Sequence, residues 1–371
     1  MSMEFVLKRL NFEINLSKVF VMRDEFWPIK FLGCFGLALW SITVGAEGAP
    51  DINLKELLKR PQVQVFIEND KFSGTDQYYT NGFKVGGGAE LPLLGDLIKP
   101  IPEIIINLFD GPGPNGEIPE SHVGFFIGQN IYTPRDISIA QNQPLDRPWA
   151  AWLYVGTVVQ RVRGNRLDTV ELDLGVVGPA ALGRQVQSGW HSLIGAQQPK
   201  GWSNQIANEP AFLLSYLQKR RYGSEHIQVV PHAGVTVGTV LTLVRAGASV
   251  RIGNRLTGFG PDSIEPGGAM LQPTREQDRR AGTVCCEWYA FVGGDYRLVA
   301  RNIFLDGSTF RDGPSVERRV AVHDLNAGVA FRYGPVNLSL TRILRSSEFK
   351  TAQSSGGRQA FYSVNIGWQF D

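Results

Sequence analysis

The last segment of the chain, "FYSVNIGWQFD" (residues 361–371), decides the fold. Tyr362, Val364, Ile366, Trp368 and Phe370 fall on one face, and Ser363, Asn365, Gly367 and Gln369 on the other. Strict alternation is the period of a β-strand, not of a helix. The apolar face carries aromatics at both ends, as the interfacial girdle of a membrane-spanning strand requires. Phe370 is penultimate and Asp371 follows it. The segment thus predicts the closing strand of a β-barrel whose outside, not inside, is apolar.

Working back from it, eleven further stretches carry strand character: 62–70, 78–89, 122–132, 149–162, 167–177, 209–221, 226–237, 241–253, 283–300, 318–333 and 335–346. With 359–371 the count is even, as a closed antiparallel barrel of bacterial origin demands. The expectation is an all-β fold, a twelve-stranded antiparallel transmembrane β-barrel in one domain, 47–371. Two connections, 91–120 and 254–282, are long and rich in Gly and Pro, and barrels put long loops on the outer side. Forty-two glycines and 11% aromatic residues suit such a fold.

One stretch breaks the rhythm. In "GRQVQSGWHSLIGAQ", Val186, Trp190, Leu193, Ile194 and Gln197 recur at helical spacing, which predicts a short helical insert near residues 184–197.

The start of the chain reads as export machinery. Arg23 and Lys30 precede the apolar "FLGCFGLALWSITVGA", and Val44-Gly45-Ala46 offers small residues for cleavage. Residues 1–46 are therefore predicted to be a signal peptide, with Met22 a better start than Met1. The apolar run is short for a membrane helix, which needs about 20 residues. Removing it takes five basic and four acidic side chains and leaves 32 against 31. That balance offers no basic face for nucleic acid. Cys285 and Cys286 are adjacent and point to opposite sides of a strand, so no disulfide framework is expected. Nothing in the sequence sets an oligomeric state.

Chemistry concentrates in two places. "FIENDKFSGTDQYYTNG" (66–82) gathers Glu68, Asn69, Asp70, Asp76 and Thr80 between two strands. Hard divalent cations choose such oxygen donors, calcium most tolerantly; an ordinary Asx-rich turn has the same composition. His191 stands out among the five histidines because Gln187, Trp202, Gln205 and Glu209 crowd its neighbourhood. An imidazole titrates near neutral pH and serves as a general base when held in place. Ser192 and Ser188 flank it without any nucleophile-elbow motif. A serine-type outer-membrane phospholipase, a non-catalytic barrel (pore or structural) and a soluble periplasmic binding protein are the alternatives.

"NDKFSGTDQYYTNG", "QNIYTPRD", "DRPWAAWLY", "GVVGPAALGRQVQSGWH", "PKGWSNQIANEP" and "RSSEF" resemble, in order, the motifs of the outer-membrane lipid A 3-O-deacylase family. The resemblance spans about residue 62 to the C-terminus. It implies a calcium-dependent esterase in the outer membrane of a Gram-negative bacterium, acting on lipid A in lipopolysaccharide among outer-membrane lipids. It maps the catalytic histidine to His191, the Asn-Asp pair to Asn69 and Asp70 (the metal residues, Asn69 also catalytic), and the catalytic hydroxyl to Thr80. Two positions depart from the pattern: the loop 131–147 holds Arg135 and Arg147 but no lysine, and Gln197 stands where some members carry an acid.

Overall fold

A peptide bond in lipid must find its hydrogen-bond partner within the protein, which a sheet achieves only by closing on itself. The computed structural model describes residues 59–90, 120–261, 286–352 and 356–370, and in it the sheet closes. Its strands are β1 Lys59–Asn69, β2 Tyr78–Glu90, β3 Glu120–Thr133, β4 Ala150–Arg163, β5 Arg166–Val177 and β6 Glu209–Arg220. They continue with β7 Ile227–Gly238, β8 Leu241–Asn254, β9 Cys286–Asn302, β10 Ala321–Tyr333, β11 Val336–Arg345 and β12 Gln359–Gln369. Every strand pairs antiparallel with its sequence neighbours, and β1 pairs with β12 from Gln62↔Gln369 to Asn69↔Tyr362. The twelve strands and their order match the expectation. The predicted signal peptide, 1–46, lies outside the described residues, where no helix is long and apolar enough to cross a membrane.

The alternation has the predicted sense. On β12, Ile366, Trp368 and Phe370 are about half exposed on the outside, while Phe361, Ser363 and Asn365 are buried inside. The lumen is packed. Lys84 on β2 donates to Glu171 on β5 at 2.9 Å and lies 3.9 Å over the Phe126 ring. Across the barrel, Asp295 faces His232 (2.9 Å), Arg297 (3.0 Å) and Arg245 (3.3 Å), and Asp324 holds Arg297 and Arg345, each at 2.7 Å. Charges taken out of water need such partners. The helical turn α2, Ile303–Asp306, closes the upper lumen, with Phe304 stacked on Tyr132 at 4.0 Å.

One expectation about the connections is corrected. With an even strand count β1 begins and β12 finishes at the same end, and β2 ends, β3 begins, β8 ends and β9 begins there too. The connections 91–119 and 255–285 therefore join strands at the terminal end. The hairpin between β1 and β2 and the long β5–β6 loop share the opposite end.

Replacing Lys84 with Met is expected to strand Glu171 and destabilise the barrel by about 3–5 kcal/mol. Lys84→Met combined with Glu171→Gln should recover most of the loss. Urea unfolding in detergent measures both, and equal stability of the single and double variants would dismiss the pairing.

Candidate active site

The turn after β1 is shaped by its own carboxylate. Asp70 Oδ2 accepts the Gln77 N–H at 2.7 Å and the Thr75 hydroxyl at 2.9 Å, while the Asp70 carbonyl accepts the Ser73 N–H. Asn69 Oδ1 accepts the Lys71 N–H at 2.7 Å, the Asx-turn bond that its composition also allowed. Residues 71–73 make one 3-10 turn, which Gly74 ends at φ 80°, a left-handed conformation that glycine adopts freely.

Thr80 enters through an irregularity in β2. Tyr79 pairs with Tyr132 and Asn81 with Ile131, leaving Thr80 as the extra residue of a β-bulge. A bulge re-aims a side chain, and here the Thr80 hydroxyl meets the Thr133 hydroxyl at 2.7 Å. The Thr80 carbonyl accepts the Asp70 N–H at 3.3 Å, so the two predicted residues are backbone neighbours. Tyr78, just before them, has φ +65°, an uncommon conformation for a bulky residue.

The β5–β6 loop supplies the histidine. Helix α1, Gly183–Ile194, overlaps the predicted insert, but the apolar residues whose spacing announces it are not the ones it buries. Its buried residues are Gly183, Gln187 and His191. They pack toward the outside of the barrel wall. The loop covers Gln129 and Ile131, which share the outward face of β3 with the exposed Phe125. Gln129 donates to the Ala181 carbonyl at 2.6 Å, and Ile131, Trp149, Ala151, Ala181 and Trp202 form one apolar cluster. A cluster of this kind fixes the loop by buried area, at about 25 cal/mol per Å² of apolar surface.

After the helix the chain reverses at Gly195 (φ 67°), and the Gln197 carbonyl returns to His191 Nδ1 at 2.5 Å. That carbonyl accepts only from an Nδ1–H, which directs the other nitrogen's lone pair away from the loop. His191 Nε2 faces Asp76 Oδ2 at 3.2 Å. Gln187 donates to Asp76 Oδ1 at 3.4 Å, and its own carbonyl accepts the Trp202 N–H at 2.8 Å. Helix and hairpin thus meet on Asp76.

The structure therefore gathers His191, Asn69, Asp70 and, one bulge away, Thr80. Sequence reasoning counted Asp76 as an oxygen donor without giving it the histidine, and no local signal pairs them: Gln187 is 111 residues from Asp76 along the chain. Gln197 orients the ring through its backbone, so the missing acid costs the histidine nothing. Arg147 belongs elsewhere, buried against Glu348 at 3.1 Å and over the Tyr132 ring. Ser192 accepts from Gln198, and neither ring nitrogen of His191 contacts a serine hydroxyl among the described residues.

Burial pushes the Asp70 carboxyl up to about 8, with the nearby Asp76 adding to the rise and the Gln77 and Thr75 bonds opposing it. Its second oxygen, Oδ1, is buried without a hydrogen-bond partner. A buried, half-satisfied carboxylate fits a hard cation. Among the described residues no three His, Cys, Asp or Glu side chains cluster tightly enough to hold a metal; a cation here would add carbonyl, amide or water oxygens to Asp70.

The family model described as "Outer membrane protein LpxR" matches residues 34–370. The solved structure of LpxR from Salmonella typhimurium is similar at 21% identity and TM-score 0.65, covering 83% of this chain and 100% of that one. The β-domain of the Bordetella autotransporter BrkA is 12% identical at TM-score 0.40, over 84% of this chain and 98% of that one. Curated protein sequences return no match.

A Cβ on Gly183 would lie 2.5 Å from the Ala151 Cβ and 2.6 Å from the Trp202 ring. Gly183→Ala is expected to lift α1 from the wall while leaving the barrel's heat-modifiable gel mobility intact. Trypsin cleavage after Arg184 should then accelerate; unchanged cleavage would show that the helix seat tolerates the methyl.

Proposed function

The chain belongs to the outer membrane protein LpxR family, the lipid A 3-O-deacylases of the Gram-negative outer membrane, and from that premise we propose that it hydrolyses the ester of the 3′-acyloxyacyl chain. The observation that carries the mechanism is the meeting of His191 with the Asp70–Asp76 hairpin on the outward side of the wall, where a lipid ester can reach both.

In this reading His191 is the general base. Its Nε2 takes a proton from water as the water oxygen bonds to the ester carbonyl carbon. The Nδ1–H stays donated to Gln197, so the ring cannot turn away, and Asp76 stabilises the positive charge it acquires. The imidazolium returns the proton to the sugar 3′ oxygen as the carbon–oxygen bond breaks, releasing a hydroxyl and a carboxylic acid. Proton transfer of this kind contributes about 10²–10⁴-fold. Asp70 and Asn69 would hold a calcium ion, which would supply positive charge where the ester carbonyl oxygen becomes negative. The Thr80 hydroxyl, turned outward by its bulge, positions the water or the substrate.

Lipid A exposed to the purified protein with calcium should lose the mass of one acyloxyacyl group, and chelator should abolish that loss. His191→Ala should assemble normally and turn over at least about 10²-fold more slowly. Unaltered turnover in that variant would remove the base from the mechanism.

A further inference from the structure

Helix α1 has three faces, not two. At about 100° per residue, Gly183, Gln187 and His191 form the buried face against the wall. Val186, Trp190 and Leu193 occupy a flank roughly 90° round from it, and Leu182 at the N-cap and Ile194 at the last turn are uncovered with them, each of the five between 44% and 62% exposed. The other flank carries Arg184, Gln185, Ser188, Gly189 and Ser192. A helix packed on a soluble protein would turn its apolar residues inward; this one buries polar residues and leaves five large apolar ones uncovered. Contiguous exposed apolar surface marks a contact with something else.

The position of the helix says with what. The loop carrying α1 sits on the outward face of β3 and β4, not over the barrel mouth, since it covers Ile131 and Ala151. On the same strands that face continues into the exposed belt of Phe125 and Val155, with Leu153 half-buried between belt and loop cluster. A wall face on one side, an apolar flank and a polar flank are what a helix lying along a bilayer interface presents.

We propose that α1 lies in the plane of the membrane with Leu182, Val186, Trp190, Leu193 and Ile194 among the acyl chains of the leaflet, so that a lipid chain reaches His191 sideways over this flank. The insertion stands on geometry alone; the sideways entry rests on the esterase reading.

Two measurements test this. The chain, with its three native cysteines changed to serine, is reconstituted into phosphatidylethanolamine–phosphatidylglycerol vesicles with a nitroxide at Leu193→Cys or, separately, at Ser192→Cys. Collisions with oxygen should exceed those with a water-soluble nickel chelate several-fold at position 193, and the reverse should hold at 192. Nickel access at 193 overturns the insertion. Exclusion of both reagents there also overturns it, because a second copy or another part of the chain then covers the flank. In the second arm, Leu193→Glu should cut turnover of the lipid in vesicles about tenfold and change turnover in detergent micelles little. Equal losses in both would make the flank merely structural. A wild-type protein that cleaves in neither medium would sink the esterase reading, while the nitroxide result would still decide the insertion.

Discussion

The eight-residue ladder between β1 and β12 is the constraint from which the rest follows. Without it two strand edges would face lipid with unpaired N–H and C=O groups, each costing several kcal/mol. Closing it with an even number of strands brings both chain ends to one rim and sends the β1–β2 hairpin to the other. The same antiparallel order carries the β5–β6 loop to that far rim, three strands round from the hairpin. A histidine and a carboxylate widely separated in sequence thereby become neighbours without any contact between them being specified locally.

Closure also divides the polar residues into two populations with different tasks. Inside, charges neutralise one another: Arg147 meets Glu348 although 201 residues separate them, and Glu348 also accepts from Gln359. These pairs line the lumen. Outside, near the rim, Asn69, Thr80 and Gln129 would be costly against lipid, and α1 with its loop covers that side of the wall. The cover is what makes a polar site affordable on a lipid-facing surface.

Most of the barrel was legible because a strand's period is two and its outward face had to be apolar. The β12 pattern alone gives both the element and its orientation, and strand ends differ from expectation by only a few residues. The α1 helix was equally legible as a helix. Its burial was not, since the spacing of Val186, Trp190, Leu193 and Ile194 reports that an apolar stripe exists and not what it faces. Nor could the sequence show that Gln197 works through its backbone: a carbonyl is common to every residue, so only the chain reversal at Gly195 makes this one a partner for His191. The β-bulge at Thr80 escapes for the same reason, being a matter of register between two strands.

Both groups of the site thus depend on elements that hold little structure by themselves. The hairpin is a turn over residues 70–77 organised by the Asp70 side chain, and the helix is three turns seated by Gly183 and Trp202 on strands β3 and β4. Either would be marginal alone, because a helix this short is unstable in water without packing. The ladder β2–β3–β4–β5 supplies that packing to both at once, placing the two elements on one rigid surface. Elements fixed on a rigid sheet hold reacting groups more closely than free loops do. It follows that assembly of the barrel and assembly of the site are a single event: the unfolded chain has its histidine and its hairpin far apart, and brings them together only where the sheet has closed.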